Sequence, residues 1–95
     1  MTMENILKQI SKVSGLSEEE IKGKNRRQDI VAARFLFAEK ASQKGYPQNA
    51  IGRFLGGKNH SSISYLLMKY NPCIYYYNFK EALEKYDKKK VGYRH

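Results

Sequence analysis

Ile51-Gly52-Arg53-Phe54-Leu55-Gly56-Gly57-Lys58-Asn59-His60-Ser61-Ser62-Ile63 is the stretch on which the fold turns. Ile51, Phe54 and Leu55 recur at helical spacing before the glycine pair, and Ile63, Leu66, Leu67 and Tyr70 do so after it. Gly56 and Gly57 supply the positive backbone angles of a sharp bend, and Gly52, lacking a Cβ, lets the two helix backbones approach closely. Two helices joined by a tight glycine-containing turn in a basic chain outline a helix-turn-helix. The second helix opens with short polar side chains and a histidine, groups able to reach base edges. Its free N–H groups and positive dipole end suit a phosphate.

Helical periodicity continues on both sides of this unit. Ile6, Leu7, Ile10 and Val13 form the apolar face of a first amphipathic helix ended by Gly15. Ser17 followed by Glu18, Glu19 and Glu20 reads as a capping box opening one short turn, which buries Leu16 and Ile21 and stops at Gly23. Residues 28–44 leave little of the helix circumference polar, so this segment is expected to be the buried central pillar. Gly45 and Pro47 punctuate the chain before a helix over residues 47–55, and the helix after the glycine pair is expected over 59–70, ended by Asn71-Pro72. Tyr75-Tyr76-Tyr77 reads as a connector to a last helix over 78–86, with Phe79, Ala82, Leu83 and Tyr86 on one face. Aromatics of that segment are expected to pack rather than to stack on bases. The expected fold is all-α: a helical bundle around a central buried helix, containing a helix-turn-helix and an added C-terminal helix. One domain over residues 1–87 is followed by a basic tail, 88–95, expected to fray.

Charge sets the partner class. Among 95 residues, 18 Lys and Arg stand against 9 Asp and Glu, a formal net charge of +9. That imbalance points to a polyanion, nucleic acid or an anionic surface. The one cysteine, Cys73, offers no internal disulfide and no Cys-based metal site, which fits a reducing cytoplasm. The amino end lacks a signal-peptide pattern, and no apolar run is long enough to span a bilayer, so a soluble, cytoplasmic protein without a membrane partner is expected. His60 and His95 are far apart, no metal-ligand spacing or phosphate-cradling loop is present, and Glu18, Glu19 and Glu20 fan around a helix. No catalytic residue, metal, cofactor or small-molecule substrate is therefore expected.

The string from Ile51 to Ile63 resembles the signature of the C-terminal DNA-binding domain of DnaA, the bacterial replication initiator. Upstream, Val13 to Leu16, Ile21, the run Lys22-Gly23-Lys24-Asn25-Arg26-Arg27, and Ile30 to Arg34 follow that domain's order too, so the likeness covers about residues 6–70. The resemblance implies a Trp-repressor-like helix-turn-helix that recognises a short asymmetric duplex as a single module, which favours a monomer. It implies that Asn59, His60, Ser61 and Ser62 face the major groove and that Arg26 reaches the adjacent minor groove or backbone. Tyr65, one turn further along, would add to sequence choice. Lys22, Lys24, Arg26, Arg27, Lys58 and Lys69 would contact phosphates, which position the protein. Arg34 lies inside the central helix, where pairing with Asp29 or Glu39, or capping of nearby carbonyls, competes with a DNA contact.

Three departures from the family pattern bear on function. The family usually has Asp-His-Thr-Thr where this chain has Asn59-His60-Ser61-Ser62. Asp only accepts hydrogen bonds and suits a cytosine amino group, whereas Asn donates and accepts and suits adenine. Pro47-Gln48-Asn49-Ala50 replaces the family's Ser-Leu-Pro-Glu, which is expected to shift the start of that helix. The nucleotide-binding domain that precedes this module in the family is absent from these 95 residues, so ATP-driven origin melting is not expected of them. The expected function is sequence-specific duplex binding in replication control or transcriptional regulation. Two other uses of a basic helical fold compete with it: gripping single-stranded RNA with tyrosines, and docking an acidic protein as an adaptor.

Overall fold

A computed structural model describes residues 2–23 and 25–92, with side chains described as far as Tyr86. Lys24, expected to contact phosphate, lies outside the described residues, as do the side chains of Lys88, Lys89 and Lys90 and the whole of His95. The described residues form six helices and no strand: α1 (Met3–Ser14), α2 (Glu18–Lys22), α3 (Gln28–Gln43), α4 (Gln48–Phe54), α5 (His60–Lys69) and α6 (Ile74–Gly92). Local signals set most of the boundaries. The Thr2 hydroxyl accepts the Asn5 amide at 3.2 Å to start α1, and Gly15, at φ 76°, closes it in the left-handed region. Around α2, the Ser17 hydroxyl accepts the Glu20 amide at 3.0 Å while the Glu20 carboxylate accepts the Ser17 amide at 2.9 Å. That is the reciprocal capping box expected from the sequence.

Helix α3 is the axis of the domain and packs against each of the other five. Ile30, Ala32, Ala33, Phe35, Leu36, Phe37, Ala38 and Ala41 are all buried on it, so almost no face is left for solvent. The alanines keep its radius small and allow close helix packing, while Leu36 and Phe37 join Leu7, Ile10 and Ile51 in one buried core.

The largest departure from expectation is α6. It begins at Ile74, so the Tyr75-Tyr76-Tyr77 run is helical rather than a connector, and its backbone continues to Gly92, past the expected end. Helix α6 lies against α3 and α1. Tyr76 is only 4% exposed; its ring meets Phe35 edge-on at 5.2 Å, and its hydroxyl donates to Glu39 Oε1 at 2.8 Å. That anchor on α3 outweighs the local preference of consecutive aromatics for extended backbone. Burial, followed by the bond to Glu39, raises the Tyr76 phenol above its ordinary range. No helix among the described residues is long and apolar enough to cross a membrane.

Candidate nucleic-acid interface

The helix-turn-helix is locked by contacts that leave no room for a side chain at two glycines. Ile51, Leu55 and Ile63 are buried and hold α4 and α5 to the core. Between them the chain reverses at Gly56 (φ 87°) and Gly57 (φ 84°), in the region that side chains other than glycine rarely adopt. The Lys58 amide donates to the Gly52 carbonyl at 2.8 Å, and a Cβ at Gly52 would collide with the backbone carbonyl of Lys58. Asn59 then caps α5: its Oδ1 accepts the Ser62 amide at 2.9 Å.

This geometry presents the front of α5 to solvent. Asn59, His60, Ser61 and Ser62 are all exposed, and Tyr65, one turn on, is 70% exposed. The imidazole of His60 is not buried under neighbouring side chains. The same stripe continues through Ser64 to Met68, which is 75% exposed and whose sulfur accepts the Ser64 hydroxyl at 3.5 Å. Ser64 and Met68 share the face of α5 that His60 opens, as their i+4 and i+8 spacing from it dictates. Gln48 and Asn49, at the start of α4, border a shallow depression beside His60. Helix α4 itself starts at Gln48 with Pro47 as a cap that offers no side-chain hydrogen bond.

Beside α5 runs the basic loop after α2, and two cations fasten it from beneath. Arg34, 7% exposed, donates through Nε to the Ile21 carbonyl at 2.9 Å and through Nη2 to the carbonyls of Gly23 at 2.8 Å and Asn25 at 3.1 Å. Of the alternatives open for Arg34, the capping of carbonyls is the one observed; Asp29 bonds Arg27 and Glu39 bonds Tyr76 instead. Burial, and then the like charge of Arg26 nearby, lower the Arg34 guanidinium from its usual value. Lys58 makes the second fastening. Its Nζ donates to the carbonyls of Leu55 at 2.7 Å, Lys22 at 2.9 Å and Gly23 at 3.2 Å. A five-residue helix exposes nearly all its carbonyls at its negative end, so α2 is a natural acceptor for both cations.

The remaining predicted cations differ in how far their charge is engaged. Arg26 is exposed. Arg27 is exposed too, but its guanidinium holds Asp29 through Nη2–Oδ2 at 2.8 Å and Nε–Oδ1 at 3.2 Å, which keeps the Asp29 carboxyl below its ordinary range. The Lys22 ammonium sits 4.5 Å above the Phe54 ring. Lys69 is exposed in the last turn of α5. Between the loop and α5 lies an open cleft of about 660 Å³, lined by apolar Val31, Ile63 and Leu66 and by Arg26, Asn59, Ser61, Ser62 and Tyr65. Arg26 and the front of α5 thus line one cleft.

A basic all-α domain with an exposed polar recognition helix is a helix-turn-helix of the DNA-binding class. The profile of the family described as bacterial dnaA protein helix-turn-helix matches residues 3–69, so the chain belongs to that family. It is also similar to the chromosomal replication initiator protein DnaA of two strains of Porphyromonas gingivalis, ATCC 33277 and W83, at 37% identity over 67 residues in each case. The match covers 66% of this chain but only 14% of the relatives' length. No solved structure matches the chain significantly.

Proposed function

We propose that the chain binds double-stranded DNA sequence-specifically as a single module. The front of α5 enters the major groove, whose width of about 12 Å admits a helix. Asn59, His60, Ser61 and Ser62 meet base edges there, with Tyr65 one turn behind. Arg26 lies across the cleft, suited to the adjacent minor groove or its backbone, so that the channel between them seats the sugar-phosphate rail separating the two grooves. Lys22, Arg27 and Lys69 add phosphate contacts, as does Lys24 by its place in the loop. Lys58 and Arg34 act beneath them as positioning residues that hold the loop at a set distance from α5.

One observation carries this reading: the polar amino end of α5 and the Arg26 loop are both exposed, and they face one cleft. Neither an RNA-binding nor an adaptor role calls for that pairing. The relatives' name places them in chromosomal replication initiation, and a role in replication control or in transcriptional regulation at such sites is proposed for this chain on that likeness. Selection of bound sequences from a random duplex pool tests the reading directly. A short asymmetric consensus, held better than single-stranded RNA of equal length, is expected. Enrichment of no consensus contradicts it.

A further inference from the structure

Asn59 sits where the family carries aspartate, and its side chain is already half engaged. Oδ1 accepts the Ser62 amide at 2.9 Å, and only the oxygen can do so, because a backbone N–H needs an acceptor. Both ends of the amide hang on one planar carbon, so fixing the oxygen on the first turn of α5 turns the NH₂ group away from that turn. Among the described residues the Asn59 side chain makes no other hydrogen bond. Asn59 is exposed and lines the cleft together with Ser62 and Tyr65. What it offers a base most freely is therefore a pair of N–H donors. The bidentate adenine contact needs the oxygen and the nitrogen on the same base edge, and the cap already takes one of the oxygen's two lone pairs and holds the oxygen against the first turn of α5.

An aspartate in this place caps with one oxygen and keeps the other as an acceptor, suited to the N4 amino group of cytosine. On a pyrimidine, the O4 of thymine occupies the place of that amino group and accepts instead of donating. Resting on the duplex reading above, we infer that Asn59 selects thymine at the base pair where an aspartate would select cytosine. Two donors facing each other across that contact exclude cytosine. The chain's binding site thus differs from an aspartate-read site by a C·G to T·A exchange at one position.

The test repeats the random-duplex selection with the parent and with Asn59→Asp. Asp caps a helix as well as Asn, so α5 is retained, and thermal unfolding of the variant checks this. The added negative charge weakens binding to every sequence, so the readout is base preference rather than affinity. One position is expected to change from thymine in the parent to cytosine in the variant, by on the order of tenfold in each direction, with the other positions unchanged. The inference is overturned if both proteins select the same base throughout, or if the parent selects adenine, guanine or cytosine at the position that changes. If neither protein enriches any consensus, the duplex reading falls and takes the inference with it.

Discussion

Replacing Lys58 by Met separates anchoring of the basic loop from gripping of DNA. Met keeps most of the apolar stem and removes the ammonium that spans the carbonyls of Lys22, Gly23 and Leu55 at 2.7–3.2 Å. A hydrogen bond to a charged group contributes about 1.5–3 kcal/mol net. The site is half-buried, so water replaces part of what is lost and three such bonds do not add in full. A net destabilisation of about 2 kcal/mol is expected. For a domain of this size each kcal/mol lowers Tm by about 4–8 °C, which gives a fall of about 8–16 °C by circular dichroism. Duplex binding, followed by fluorescence anisotropy well below that Tm over about 50–200 mM salt, supplies the second readout. A lysine on a phosphate contributes about 0.9 to the slope of log affinity against log salt. That slope is expected to change by much less, because the Lys58 charge faces the loop. An unchanged Tm together with a slope shallower by about 0.9 would show that the ammonium belongs to DNA and refute the anchoring argument.

Other substitutions probe other links. Gly52→Ala drives a methyl group into the Lys58 carbonyl with backbone on both sides; about 3 kcal/mol of destabilisation is expected in urea titration, and a midpoint equal to the parent's contradicts the close approach. Arg26→Ala should weaken all duplexes alike if the side chain meets only phosphate, whereas a loss confined to the selected sequence shows that it reads the minor groove. Tyr76→Phe keeps the ring against Phe35 and removes the bond to Glu39, for a loss of about 1 kcal/mol. Because the folded phenol titrates above its unfolded value of about 10, its contribution is complete below that pH and declines above it. The Phe variant should therefore lose less stability than the parent between neutral and strongly alkaline pH, and equal losses in the two proteins would contradict the bond.

What was legible in the sequence were features decided within a few residues. The glycine pair, the Ser17–Glu20 box and the unbroken apolar circumference of α3 each state a local geometry, and each is found. The exposed front of α5 follows from the same kind of evidence, since short polar residues precede the first buried one, Ile63. The anchoring bonds of Lys58 are not legible in the sequence, because its partners are backbone carbonyls up to 36 residues away, free only because α2 stops after five residues. The start of α6 was misplaced because three tyrosines favour extended backbone in isolation, while Tyr76 is drawn into a helix by Phe35 and Glu39, far from it in sequence. Asn59 illustrates a finer loss: its residue type was plain, but which of its two polar ends remains for a base depends on the cap.

The central claim is that the amino end of α5 reads bases. Titration of the parent and His60→Ala against the selected duplex and a scrambled one, at a single salt concentration, tests it most directly. The exposed imidazole supports no packing that its loss would disturb, so folding should be retained. The variant is expected to bind the selected duplex about 1–3 kcal/mol more weakly and the scrambled duplex almost as well as the parent does. Discrimination by the variant equal to the parent's would place recognition elsewhere on the domain.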